Sequence, residues 1–233
     1  MAKKIPYGLT DYVLVMTDNY YYVDKTQYID LLEQTGRFLF LIRPRRLGKS
    51  LFLNMLNCYY DVKYADRFEE LFGNQYIGKH PTAEQGKYLV LRFNFSMVRA
   101  TDDKLEAAFN RHISLETAYF ASVYASYFKP DFQEQLKLIP EAAGRLEYIC
   151  LCAKEQGLSI YLLIDEYDNF TNTILSSKGN DVYHSLTHDS GFYSSFFNVV
   201  KGVTTGAEAP VKRMFITGVS PVTLDDVTSG FNI

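Results

Sequence analysis

Phe38-Leu39-Phe40-Leu41-Ile42-Arg43-Pro44-Arg45-Arg46-Leu47-Gly48-Lys49-Ser50-Leu51 is an apolar run of strand length that passes into a basic loop, and the loop ends in a Gly-Lys-Ser triplet that opens a helix. In a phosphate-binding loop (P-loop) the glycine lets the backbone turn so that its N–H groups face phosphate oxygens. The lysine ammonium then reaches the β- and γ-phosphates, and the serine hydroxyl ligates Mg2+. The following helix adds unpaired N–H donors and the positive end of its dipole. Lys49 and the backbone from Arg46 through Leu47, Gly48 and Ser50 to Leu51 are the candidate phosphate cradle, and Ser50 is a candidate metal ligand. By chance the triplet alone would occur in on the order of one chain in ten of this length; the strand before it and the helix after it give it meaning. The loop departs from the pattern G-x-x-x-x-G-K-[ST] at its start, where Arg43 stands in the first glycine position and Pro44 removes a backbone donor.

Two further strand ends carry polar groups. Ile160-Tyr161-Leu162-Leu163-Ile164 runs into Asp165-Glu166-Tyr167-Asp168. In phosphoryl-transfer sites such a first acid holds Mg2+, and the second orients or deprotonates the attacking water. The plain alternative is that Asp165 and Glu166 cap the next helix; beside a P-loop, the catalytic reading is preferred. Arg213-Met214-Phe215-Ile216-Thr217-Gly218-Val219-Ser220 is another strand ending in small hydroxyl residues. By itself it is a strand and turn, but its place after the carboxylate strand makes Thr217 or Ser220 a candidate polar sensor beside the γ-phosphate.

With Tyr88 to Phe95, these runs make four strands separated by helical patterns, which predicts an α/β fold whose parallel sheet is covered on both faces. Leu51, Met55 and Cys58 form the inward stripe of the helix after the loop. Helices are also expected from Asp103 to about Tyr127 and after Pro140. No linker or repeat divides the 233 residues, so 1–233 is read as one unit. At 47% apolar and 22% charged the chain is neither disordered nor fibrous, and no apolar run approaches the length that crosses a bilayer. A net charge of -3 argues against generic nucleic-acid binding, which draws on a basic surface, and leaves room for a local basic cluster. Three cysteines, Cys58, Cys150 and Cys152, cannot close a disulfide set and fit a reducing cytoplasm. His184 and His188 share a helical spacing but lack a third ligand, and Ser190 with His188 and Asp189 cannot form a hydrolytic triad from adjacent residues.

The Arg43–Ser50 loop, the Leu162–Asp168 and Phe215–Ser220 strand ends, and the early Tyr20-Tyr21-Tyr22-Val23-Asp24-Lys25-Thr26 together resemble the AAA-ATPase-like family of predicted P-loop NTPases, common in Bacteroides and related anaerobes. The resemblance runs from about Tyr7 to the end of the chain, and the Arg-Pro-Arg-Arg loop is itself a trait of that family. It implies a three-layer fold of the additional-strand class, with the Thr217 strand inserted between the Phe38 and Ile160 strands. It also implies that Tyr22 and Val23 pack against adenine; the same segment reads equally as the cap of a helix beginning near Lys25. Arg45 and Arg46 either complement phosphate charge or form a solvated rim.

The function expected is Mg2+-dependent binding and hydrolysis of ATP as a regulatory switch, with Lys49 and Glu166 catalytic and Ser50 and Asp165 on the metal. The alternative is a nucleotide-binding or structural interaction module with little turnover. Partners expected are the nucleotide and either self-association or a C-terminal effector, which in some members is a restriction-endonuclease-like domain. Nucleic acid and membrane are not indicated by this region. Because the chain stops at Ser229-Gly230-Phe231-Asn232-Ile233, before a lid, it is expected to be the N-terminal part of a longer protein.

Overall fold

A computed structural model describes residues 3–98, 104–187 and 191–220. Asp103, His188, Asp189, Ser190 and the Ser229 to Ile233 terminus lie outside the described residues. Four strands, β1 (Phe38–Ile42), β2 (Leu89–Asn94), β3 (Ile160–Asp165) and β4 (Val211–Gly218), form one sheet in the order β1-β4-β3-β2. Every pairing is parallel. β4 therefore lies between β1 and β3, the order that the family resemblance implies.

Successive side chains of a strand face opposite sides, and here both sides are covered. Leu89, Leu91 and Phe93 of β2, Ile160, Leu162 and Ile164 of β3, and Met214 and Ile216 of β4 enter one core, while Val90, Tyr161, Leu163 and Phe215 enter a second. The first is roofed by the helices Leu105–Val123, Ala142–Glu155, Asn169–Lys178 and Phe192–Thr204, and the second by Tyr12–Thr17, Tyr28–Thr35, Lys49–Tyr60, Phe68–Phe72 and Tyr76–Lys79. The result is three layers, and it explains why the strands read as unbroken apolar runs. The aromatic richness of the chain, 19 Tyr and 17 Phe without Trp, goes largely into these layers. The Phe95 ring meets Phe109, Tyr193, Phe196 and Phe197 at steep angles with centroids 5.4 to 6.2 Å away, the edge-to-face geometry that aromatic quadrupoles favour.

β2 is a margin of the sheet among the described residues, and its outer groups are partly closed. Val62 N–H donates to the Tyr88 carbonyl, Tyr88 N–H to the Tyr60 carbonyl, and Val90 N–H to the Tyr124 hydroxyl. Such capping blunts an edge that would otherwise template another strand. Cys58 and Cys150 are buried and Cys152 partly so; all three are unpaired. No helix among the described residues is long and apolar enough to cross a membrane.

Leu162 sits at the centre, fully buried and in register with Leu91 and Met214. Leu162→Ala is expected to lower unfolding free energy by about 2–5 kcal/mol, the cost of lost transfer energy plus a cavity. Denaturant unfolding checks this; a loss under about 1 kcal/mol would show that the sheet centre repacks freely.

Candidate functional site

All three polar strand ends emerge at the same edge of the sheet. In register, Ile42 of β1 faces Gly218 of β4, and Ile164 of β3 faces Ile216 of β4. Arg43 N–H then donates to the Gly218 carbonyl at 3.2 Å, so the basic loop starts tied to the end of β4. Ligands of open α/β sheets bind at such carboxyl ends.

The loop itself turns through left-handed backbone at Arg46 (φ 66°) and again at Gly48 (φ 75°). Left-handed residues interleaved in a turn aim successive N–H groups into one concavity, the arrangement that cradles anions. Gly48 is also the residue before the helix Lys49–Tyr60, whose free N–H groups face the same way. Lys49 is only 6% exposed. Its ammonium donates to the carbonyls of Arg43 at 2.9 Å and Pro44 at 3.0 Å, bridging the two ends of the loop. An ammonium has three donors, so one remains for a ligand. Arg43, in the position where the pattern has glycine, is not among the left-handed residues. No glycine is required there.

The β3 exit is more deeply set. Asp165 is 1% exposed, and its Oδ1 accepts the Thr217 hydroxyl of β4. Its Oδ2 has no protein donor among the described residues. Thr217 Oγ1 in turn accepts Glu166 N–H at 3.3 Å. Thr217 is fully buried; its one hydroxyl proton goes to Asp165, so its effect passes through that carboxylate. Glu166 itself is left-handed, φ 52°. Burial, then the Asp165 carboxylate beside it, push the Glu166 carboxyl above the usual range, while Lys49 and Arg45 pull it back. Arg45 and Arg46 are exposed, and the charge of Arg45 thus acts on Glu166. Neither Asp165 nor Glu166 caps a helix. The next helix is Asn169–Lys178, with Asp168 at its N-terminal boundary.

Sequence reasoning missed Asp168, Tyr167 and Lys25. The Val219 and Ser220 N–H groups donate to the Asp168 carboxylate, and the Tyr167 hydroxyl donates to the Ser220 carbonyl at 2.6 Å. Ser220 thereby has its main chain held at the β3 exit. The repeated acid in Asp165-Glu166-Tyr167-Asp168 was the only sequence signal for Asp168.

Tyr22 and Val23 line a cavity of about 210 Å3 together with Tyr21, Lys25, Gly48 and Phe52. Lys25 reaches over the phosphate loop: its Nζ lies 3.8 Å from where a Cβ on Gly48 would stand. The helix-cap reading of this segment is corrected. The helix begins at Tyr28, after Gln27, with no side-chain cap. Asp24 instead accepts from Thr26 N–H and Oγ1 and from Tyr76 N–H, and Thr26 Oγ1 accepts from Ile77 N–H, which pins the segment to the helix Tyr76–Lys79. Three larger cavities are also present. One, about 360 Å3, flanks β2 beside Asp61, Lys63, Arg92 and Glu116 and reaches Asn94, the register partner of Asp165; the other two, about 580 and 310 Å3, lie near Pro210 before the start of β4. None of the three is lined by the phosphate loop.

A magnesium ion takes hard oxygen ligands and keeps several waters, drawing the rest of its shell from phosphates. The open Oδ2 of Asp165 and the hydroxyl of Ser50, half-buried in the first turn of its helix, fit that chemistry. No cluster of three or more His, Cys, Asp or Glu able to cage a metal exists among the described residues.

Comparison with known proteins bears on the family of the chain. A family model described as "Predicted AAA-ATPase" matches residues 6–228. The chain is also similar to a protein of Azotobacter chroococcum mcd 1 described as "Uncharacterized protein in vnfD 5'region", 27% identical over 241 aligned residues. That alignment takes in 99% of this chain and 40% of the relative, so the chain spans well under half of that protein's length. No solved structure matches.

Proposed function

The chain belongs to the family of predicted AAA-ATPases, and on that premise we propose that it binds ATP with Mg2+ at the loop-bearing edge of the sheet and hydrolyses it as a regulatory switch. The observation that carries this reading is the meeting, at one sheet edge, of a Lys49-bridged anion cradle with a buried Asp165 that keeps one oxygen open. The backbone N–H groups of Arg46 to Leu51 hold the β- and γ-phosphates, and the third donor of Lys49 reaches between them. Ser50 and Asp165 hold the metal, which when bound neutralises charge developing on the phosphate oxygens. Glu166 stands beside Asp165 with a carboxyl raised by burial, the direction that suits a group taking a proton from attacking water. Thr217 holds Asp165 in line. Tyr22 and Val23, with Tyr21 and Phe52, offer the apolar and aromatic walls of the base pocket. Lys25 adds positive charge beside Gly48, and Arg45 beside Glu166.

The consequence of switching is assigned to self-association or to an effector region beyond the part that matches the family, in a reducing cytoplasm. The reading of a nucleotide-binding module with little turnover differs from this one only at Glu166, and one series separates them. Lys49→Ala is expected to weaken fluorescent-ATP binding by roughly a hundredfold, since it removes a charge-assisted contact and unties the loop. Glu166→Gln should bind ATP within about threefold of the parent while phosphate release falls roughly a hundredfold or more. Equal phosphate release by parent and Glu166→Gln removes Glu166 as base, and a parent that binds no ATP removes both nucleotide readings.

Lys25→Gln tests the cavity. If the ammonium meets phosphate, ATP and ADP affinity each drop by roughly tenfold and adenosine affinity stays put. An equal loss for all three ligands would place Lys25 on the base or ribose side instead.

A further inference from the structure

We infer that Asp168 and Tyr167 are positioning residues that fix the direction of Glu166 by latching the β3 exit turn onto the end of β4. This rests on the reading of Glu166 as the residue that acts on water. Asp168 is 1% exposed, and although it stands at the boundary of the helix Asn169–Lys178, its side chain makes no cap bond to that helix. It turns towards β4. Its Oδ2 accepts Ser220 N–H at 2.6 Å, Val219 N–H at 3.0 Å and the Asn172 amide at 3.1 Å, and its Oδ1 accepts Val219 N–H at 3.2 Å.

Tyr167 closes the same latch from the other side. Its N–H donates to the Thr217 carbonyl at 3.0 Å, its hydroxyl to the Ser220 carbonyl, and its own carbonyl accepts the Tyr193 hydroxyl. Its ring fills the space over Gly218, where an added Cβ would stand 2.3 Å from Cε1. With the Thr217 hydroxyl on Asp165 and Glu166, every residue from 165 to 168 is tied to the stretch 217–220.

The physical need for the latch lies at Glu166. The strand ladder reaches Asp165 and stops there, and Glu166 is left-handed, a conformation that is sterically costly for a residue with a Cβ. Such a residue persists only where its surroundings over-determine it. Here the neighbours on both sides are clamped, so the turn cannot relax without breaking buried hydrogen bonds.

The test compares parent, Asp168→Ala, Asp168→Asn and Gly218→Ala for Mg2+-ATP affinity, kcat, KM and amide hydrogen exchange. In Asp168→Ala, kcat is expected to fall by roughly thirtyfold or more, with ATP affinity and KM within about threefold of the parent. Asp168→Asn, which keeps one accepting oxygen, should fall in between. Gly218→Ala, which displaces the Tyr167 ring, should also lose kcat before affinity. The amides of Glu166 and Tyr167 should exchange faster in Asp168→Ala, while those of Arg46 to Leu51 stay unchanged. A kcat within about twofold of the parent, or unchanged exchange at Glu166, overturns the proposal, as does a parallel loss of affinity and kcat, which would mark Asp168 as a general structural support. A parent that binds ATP without releasing phosphate would count against the catalytic reading of Glu166, and the exchange pattern then decides the latch by itself.

Discussion

The hydrogen bond from the Thr217 hydroxyl to the Asp165 carboxylate is the contact on which the rest of the candidate site depends. It exists because β4 runs between β1 and β3, so a side chain at the end of one strand meets a side chain at the end of the next. The same insertion places the start of the phosphate loop against Gly218. A sheet with β1 beside β3 would bring loop and carboxylates together without this intermediary, and the Asp165 carboxylate would lack its buried donor.

The energetics of that edge are unusual. A carboxylate removed from water costs several kcal/mol unless donors or a cation compensate it; Asp165 takes the Thr217 hydroxyl on Oδ1, and its Oδ2 is not a buried atom left without a partner. Arg46 and Glu166 hold left-handed backbone that favours glycine. These costs sit on the two segments that would touch a triphosphate. They are offset by two well-filled cores under either face of the sheet, in keeping with strain being tolerated where the surroundings are rigid. A metal arriving with a polyanion would meet the carboxylate of Asp165, whereas the left-handed backbone at Arg46 and Glu166 keeps its cost and is held by its surroundings.

How far the sequence could be read follows from how local each feature is. The strands were legible because a parallel sheet buried on both faces leaves unbroken apolar runs. Gly48-Lys49-Ser50 and Asp165-Glu166 were legible because each is contiguous. Strand order was not, since alternating strands and helices do not encode which strands lie side by side; that came from resemblance to a family. The latch joining Asp168 and Tyr167 to Val219 and Ser220 was hidden because it uses main-chain atoms some fifty residues away. Lys25 over Gly48 was hidden because the approach joins two segments that are separate in sequence. At Arg43 the pattern suggested a degenerate loop, whereas the left-handed turn falls at Arg46, a shift that residue types alone do not reveal. The alternative reading of the Tyr22 to Thr26 segment as a helix cap did not hold because the helix starts only at Tyr28, and Asp24 commits its carboxylate to Thr26 and to Tyr76 of another element.

The central claim, that one sheet edge unites cradle, metal carboxylate and base pocket, is tested most directly by a crystal structure with Mg2+ and a non-hydrolysable ATP analogue. The account predicts phosphates against the N–H groups of Arg46 to Leu51, the metal on Ser50 and Asp165, and the base among Tyr21, Tyr22, Val23 and Phe52. A nucleotide seated instead in the cavity beside Asp61, Lys63 and Arg92, or a metal away from Asp165, would contradict it.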